Sequence, residues 1–225
     1  MAETRALLLI ADIGGYTRYM SLHRVALAHA QANVARLLEA VIDAAPSGLE
    51  VVEIEGDAVF FSRPADGASA HTAREASLAM HRAFHQERTR IAGNLCPCEG
   101  CNGAGDLTLK FVAHEGTVAV QTLRDRTSLV GPDVILVHRL LKNTVPVREY
   151  VLFSTELYRG DDAVRLKQEL EGLGAVETCF IDLAPHVEGL PATAERLPQR
   201  VGETLSVLGR GVPYLLRLKR APVAA

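Results

Sequence analysis

The stretch Leu7-Leu8-Leu9-Ile10-Ala11-Asp12-Ile13-Gly14-Gly15-Tyr16-Thr17 constrains the fold more than any other part of the chain. Its continuous apolar run, stopped by glycines, predicts a buried strand rather than a helix, since strands buried on both faces lose their alternation. The run ends on a carboxylate, and a lone Asp12 at the end of a buried strand is costly to desolvate unless a charge sits against it. Gly14-Gly15 permits a tight turn that exposes backbone N–H groups ahead of a helix, a geometry that favours a phosphate. On this stretch alone two readings of Asp12 stay open, a helix cap or a ligand.

At 225 residues, 48% hydrophobic and 23% charged, the chain has the size and composition of one compact domain, 1–225, with a sizeable core. A formal net charge of −3 gives no basic field, so no nucleic-acid partner is expected. Met-Ala-Glu-Thr-Arg leads into the first strand without a signal-peptide pattern, and no apolar run reaches the roughly 18 residues of a membrane span. The expectation is a cytoplasmic protein with no membrane partner. Three of its four cysteines sit together at 96, 98 and 101, which in a reducing compartment suggests metal or thiol chemistry before disulfides.

Apolar residues recur at helical spacing through 17–45, until Pro46-Ser47-Gly48 stops the pattern. Leu49 to Ile54 and Ala58 to Phe61 read as a strand pair joined by Glu55-Gly56-Asp57, a two-residue Gly-Asp hairpin turn with its flanking acid. A second helix is expected over roughly 67–90, then a cysteine-rich loop insertion over 93–106. Leu107 to Val112 reads as a strand that Thr117 to Leu123 continues or pairs back on. A third helix starts around Leu129 to Asp133 and ends near Asn143. Tyr150 to Phe153 is a short strand, and Ser154 to Leu157 opens a short helix. The stretch 160–200 reads as an irregular connection with a charged amphipathic piece at 165–172, and Val212 to Leu218 as a closing strand. Strands and helices alternate without strict β-α-β repetition, which favours an α+β layer of helices on a mixed or antiparallel sheet.

If the first two strands are neighbours, Asp12 and Asp57 converge at one end of the sheet. Two close carboxylates cannot both stay ionised without a cation between them. Oxygen ligation with glycine backbone nearby suits Mg²⁺ or Mn²⁺ bound together with substrate phosphates.

Asp12-Ile13-Gly14-Gly15-Tyr16-Thr17 resembles the D-I-x-G-F-T opening of the class III nucleotidyl cyclases, and Glu53-Ile54-Glu55-Gly56-Asp57-Ala58 resembles their second metal motif. Lys110 to Gly116 is similar to the family's strand ending in H-x-G. Gly131-Pro132-Asp133-Val134 with Arg139-Leu140 is similar to its G-x-x-V-N-x-x-x-R-L helix, and Gly211 to Leu215 to the closing strand of the bacterial members. The wording of Glu-Gly-Asp-Ala-Val-Phe-Phe and the C-x-C-x2-C insertion also resemble an uncharacterised bacterial side branch.

The resemblance implies the ferredoxin-like cyclase fold and a homodimer that builds its active site between two subunits. It implies that Asp12 and Asp57 hold divalent metal, with the Ile13 carbonyl as a further ligand, and that Gly14, Gly15, Tyr16 and Thr17 cradle the triphosphate of a purine nucleoside. Arg139 falls where the family stabilises charge on the α-phosphate, whereas the asparagine that orients the ribose is replaced by Ile135. The base-reading pair is Glu53 and Ser128. A carboxylate accepts from guanine N1–H and N2–H and a hydroxyl donates to O6, so GTP is favoured over ATP. The implied activity is formation of a 3′,5′-cyclic nucleotide and pyrophosphate. The rival reading is a nucleotide- or metal-sensing domain without turnover.

Cys96, Cys98 and Cys101 supply three thiolates within six residues, a fit to a structural Zn²⁺ that wants a fourth ligand. His81 and His85, four apart on the preceding helix, share a face and are candidates for it, as is Cys179 or a partner subunit. A reduced loop is the alternative. His114 has a core or turn explanation, and His138 packs beside a helix stripe.

Overall fold

The computed structural model describes residues 3–22, 27–93 and 99–187. The predicted closing strand at 212–218, together with Cys96 and Cys98, lies outside them. The described residues fall into two compact units, one made of residues up to Gly14, Leu38–His85 and the chain from Thr108 on, the other of Gly15–Leu37 and Gln86–Leu107.

The first unit contains a sheet in which β1 (Glu3–Gly14) is an interior strand. Its neighbours are β3 (Ala58–Pro64) on one side and β4 (Thr108–Leu123) on the other, both antiparallel. Beyond β3 lies β2 (Glu50–Glu55). Beyond β4 follow β6 (Tyr150–Ser154), β8 (Gly174–Asp182) and β7 (Val164–Leu170), giving the order β2-β3-β1-β4-β6-β8-β7. The short β5 (Arg126–Val130) pairs back on the far end of β4. The β4–β6 pairing is parallel and the other pairings are antiparallel, so the fold is α+β with a mostly antiparallel sheet, as the alternation of elements predicts.

Residues Leu7 to Ala11 are at most 1% exposed, because β1 has covered sheet on both faces. Ala6, Leu8 and Ile10 join Ala58, Phe60, Val112, Tyr150 and Leu152 in one core, closed by Val137 and Leu140 at and just beyond α5 (Pro132–Arg139). Successive strand residues point to opposite faces, so Leu7, Leu9, Phe61, Phe111 and Phe153 line the other side. Arg63, on that side, donates to Thr72 of α3 (Ser69–Ala92), and His85 of α3 contacts Glu149 at the entrance to β6.

The second unit holds α1 (Tyr16–Leu22), the first part of α2 (Leu27–Asp43), the last part of α3 and the short α4 (Glu99–Gly103). Its interior is polar in part. Tyr19 Oη donates to the Gly100 carbonyl at 2.8 Å and Asn33 donates to Tyr19 Oη at 3.1 Å, while Cys101 Sγ lies 3.4 Å from His29 Nε2.

The structure revises several expected elements. The helical pattern of 17–45 forms α1 and α2 as separate helices, and 99–106 is helical rather than loop. Leu129 and Val130 belong to β5, so the third helix begins at Pro132 and ends at Arg139, short of Asn143. Residues after Ser154 form turns instead of a helix. The 160–200 stretch, expected to be irregular, contains the β7–β8 hairpin over 164–182. Charged residues on its open edge hide the period of two, because only Gln168 and Leu170 of β7 are buried.

Candidate active site

Asp12 sits opposite Ala58 in the β1–β3 register, which places Asp57 one residue beyond it at the same end of the sheet. The hairpin turn that carries Asp57 uses Gly56 at φ +66°, a left-handed conformation that glycine adopts without strain. Ile13 N–H donates to the Asp57 carbonyl at 3.0 Å, fixing the turn against β1. The first two strands, β1 and β2, are not themselves neighbours, because β3 lies between them; the two carboxylates meet because β3, the second arm of the Gly-Asp hairpin, pairs with β1.

On its other side Asp12 faces Lys110 in the β1–β4 register, with Nζ 3.0 Å from Oδ2. Burial and the nearby Asp12 charge push the Asp57 carboxyl above its ordinary value, while its own backbone hydrogen bond and Lys110 pull it back. Lys110 is the cation this carboxylate pair demands, and sequence reading passed over it. Its signal was its place: one basic residue on the same face as Val112 in an otherwise apolar strand. Tyr150, next to Lys110 in the parallel β4–β6 step, is 4% exposed and donates its hydroxyl to Asn143 Oδ1 at 2.9 Å.

Gly14 ends β1 against Thr108, Gly15 turns at φ +87°, and Tyr16 and Thr17 start α1. Glu53 is exposed on β2, opposite Phe60 and just past a bulge. Ser128, opposite Gln121 on β5, lines a groove of about 420 Å³ with Val51, Val52, Arg63 and Leu129. The groove stops one residue short of Glu53 in sequence. Arg139 ends α5 with Nη1 3.1 Å from Glu171, in the β7–β8 turn. Ile135, one turn earlier, is 55% exposed. The structure thus joins Asp12 to Asp57 and Ser128 to the flank of β2, and turns the Arg139 guanidinium to Glu171.

α5 is seated by residues of the H-x-G motif. His114 contacts Ser154 Oγ at 2.7 Å and Asp133 Oδ1 at 3.1 Å, and Thr117 N–H donates to Asp133 Oδ2 at 2.6 Å. Gly116 leaves the space that Asp133 fills. His138 packs edge-on against Phe60 and approaches Glu55 at 3.4 Å. Both histidines therefore have the structural roles expected of them.

His81 and His85 do share a face of α3, but the residue they converge on is Glu149. The His85 and His81 Nε2 atoms lie 2.9 and 3.5 Å from Glu149 Oε1 and 3.1 Å from each other, and Leu109 N–H donates to the same oxygen at 3.1 Å. Burial opposes ionisation of Glu149, yet the hydrogen bonds and charge of the two histidines outweigh it and hold the carboxyl far below its ordinary range. Sequence reading offered these histidines among the candidates for a fourth ligand to the cysteines and missed Glu149, whose signal is an acid heading the apolar run Tyr150 to Phe153. Of the cysteine cluster only Cys101 is described, buried beside His29. Cys179 donates to the Tyr158 carbonyl. No helix among the described residues is long and apolar enough to cross a membrane.

Comparison with known proteins agrees with this architecture. Residues 34–150 match a family model described as protein of unknown function (DUF2652). The uncharacterized protein Rv2561/Rv2562 of Mycobacterium tuberculosis is 43% identical over 159 residues, which cover 67% of this chain and 74% of that one. Among solved structures, the adenylyl cyclase CyaB from P. aeruginosa superposes with a TM-score of 0.57 at 18% identity, over 80% of this chain and 95% of that chain. The guanylate cyclase domain of RhGC from Catenaria anguillulae, solved in complex with GTP, gives 0.58 at 19% identity over 80% and 98%. The fold is that of the class III adenylyl and guanylyl cyclase domains.

Proposed function

Since the chain belongs to the family described as protein of unknown function (DUF2652) and has the fold of nucleotidyl cyclase domains, we propose that it binds a purine nucleoside triphosphate with Mg²⁺ or Mn²⁺ and forms a 3′,5′-cyclic nucleotide, GTP being favoured. The observation that carries the reading is the meeting of Asp12 and Asp57 at one sheet end, with Lys110 as their cation.

The donor set suits a hard divalent ion. Two carboxylates close enough for one to raise the other gain from any added positive charge, and oxygen-only ligation is what Mg²⁺ and Mn²⁺ prefer. Asp12 and Asp57 hold the ion, which when bound would acidify the ribose 3′-hydroxyl and offset charge on the α-phosphate. With Asp12 so engaged, the Lys110 ammonium, which also donates to the Leu141 carbonyl at 3.4 Å, keeps further N–H donors to offer a triphosphate oxygen. The backbone of Gly14 to Thr17 cradles the phosphates, Glu53 and Ser128 read the base, and Arg139 steadies the α-phosphate.

The second half of the site comes from another copy of the chain. Ile54 and Ile135 are 54% and 55% exposed on β2 and α5, the elements that carry Glu53 and Arg139, and a homodimer gives these apolar residues a surface to cover. The alternative, binding without turnover, is favoured by Ile135 itself. Its side chain cannot hydrogen-bond a ribose hydroxyl, so the nucleophile is left unoriented.

The test is incubation of the full chain with labelled GTP or ATP and Mn²⁺. Cyclic product that vanishes in Asp57→Ala supports the enzyme, and nucleotide binding without product supports the sensing domain. Absence of nucleotide binding with either metal overturns both.

A further inference from the structure

We propose that His81, His85 and Glu149 form a second metal site, for a divalent first-row transition ion of the zinc and ferrous iron class, within the sheet-bearing unit and separate from the aspartates.

The argument begins with spacing. His81 and His85 stand one helical turn apart on α3, so their rings leave the same face of the helix. The cluster they make with Glu149 is closed to water, at 0%, 7% and 9% exposure. Its three candidate ligand atoms are 2.9, 3.1 and 3.5 Å apart. Donors held about 2.0–2.1 Å from one ion stand roughly 2.8–3.0 Å apart in octahedral geometry and roughly 3.3–3.4 Å apart in tetrahedral geometry. The circle through the three atoms has a radius of about 1.8 Å, given those three sides. An ion at ordinary bond length from all three therefore sits just off their plane.

Hydrogen bonding alone accounts poorly for the same arrangement. Glu149 Oε1 has about two acceptor directions, yet Leu109 N–H and both imidazole Nε2 atoms lie within 3.5 Å of it. If both nitrogens carry hydrogens, three donors compete for those directions. If one does not, its lone pair faces the carboxylate. An ion between them lets the three ligand atoms direct lone pairs at one centre, while the Leu109 amide keeps the carboxylate oriented, as outer hydrogen bonds do in metal sites.

Ligand type selects the metal. Two imidazoles with one carboxylate suit zinc or ferrous iron, whereas Mg²⁺ and Ca²⁺ prefer all-oxygen sets. The second carboxylate oxygen or one water completes the shell. Closure to solvent makes the role structural, clamping α3 to the β4–β6 step.

The experiment uses the full chain without a histidine tag. Elemental analysis after purification is expected to find about one zinc or iron per chain. The chelator-treated protein titrated with Co²⁺ is expected to develop visible ligand-field absorption that saturates at one equivalent, without the intense near-ultraviolet band of cobalt thiolates. A Cys96→Ser/Cys98→Ser/Cys101→Ser chain keeps this spectrum, whereas Glu149→Gln and His85→Gln weaken Co²⁺ binding at least tenfold. If a histidine variant fails to fold, the wild-type spectrum decides. A folded wild-type chain that binds none of Zn²⁺, Fe²⁺ or Co²⁺ overturns the proposal, as does a thiolate band that survives unchanged in Glu149→Gln.

Discussion

Glu149 and Tyr150 are consecutive residues whose side chains serve opposite faces of the sheet. The Glu149 carboxylate meets the histidines of α3, and the Tyr150 hydroxyl bonds to Asn143 below α5. Their partners on β4 repeat the pattern, with the Leu109 amide on Glu149 and Lys110 on Asp12. A change in the β4–β6 pairing at this step would move both clusters, because alternation ties the two faces to one backbone.

Lys110→Met tests whether lysine and metal serve the same purpose. Asp12 and Lys110 are 18% and 23% exposed, so losing the lysine leaves two half-buried carboxylates without their neighbouring cation. The metal-free protein should lose about 1–2 kcal/mol, a fall in Tm of roughly 2–8 °C for a chain of this size. Millimolar Mn²⁺ should restore most of that loss and stabilise the variant more than wild type. Thermal melts with and without Mn²⁺ check it. A loss that Mn²⁺ does not recover would mean the aspartates are no metal site.

Ile135→Asn supplies a hydrogen-bonding group at the position that the resemblance to the cyclases matches with their ribose-orienting asparagine. With Ile135 55% exposed on the single chain, the change should alter the stability of the monomer by no more than about 0.5 kcal/mol, and its effect on the proposed dimer contact is read separately, from the oligomeric state. If turnover is limited by ribose positioning, cyclic product should rise at least tenfold, since misplacing a nucleophile costs on the order of 10²-fold. The rate should increase while triphosphate affinity stays within about twofold. An unchanged rate would place the limitation elsewhere in the site.

Much of the sheet was legible because its strands carry strong local signals. Leu7 to Ala11 read as a buried strand and Gly56-Asp57 as a tight turn, so the sequence, with its resemblance to the cyclase motifs, already pointed to Asp12 and Asp57 as a pair. What failed depended on partners distant in the chain. Lys110 reads as an ordinary solvated strand residue until register sets it against Asp12, 98 positions away. The histidines of α3 showed their shared face but not their target, because Glu149 lies 64 positions further on. The β7–β8 hairpin was missed because an edge strand with charges on its open side lacks the apolar alternation that reports a strand.

Glu87 should be the most sensitive charged residue of the second unit. It is 9% exposed and accepts from Arg36 Nε at 2.7 Å and Arg90 Nη1 at 2.9 Å. Glu87→Ala removes the carboxylate that both guanidinium groups address, at an expected cost of about 1–3 kcal/mol. Arg36→Ala should cost less, because Glu87 keeps Arg90. Urea unfolding of the two variants gives the order, and an Arg36→Ala more damaging than Glu87→Ala would contradict it.

Gly116→Ala tests how α5 is held. A β-carbon at Gly116 would lie 2.4 Å from Asp133 Cβ and 2.3 Å from its Cγ, far inside van der Waals contact. Asp133 cannot swing away cheaply, because its two carboxylate oxygens are engaged by Thr117 N–H and His114. The near-clash at Cβ also means that trimming the carboxylate does not create room. Either β4 or the start of α5 must shift, at a cost of about 1–3 kcal/mol. The shift should propagate to Ile135 and Arg139, which share the helix. The variant should therefore unfold several degrees earlier than wild type, with hydrogen exchange accelerated across 132–139 before it changes in β1. Uniform acceleration over the whole sheet would show that Gly116 serves general stability rather than the seating of α5.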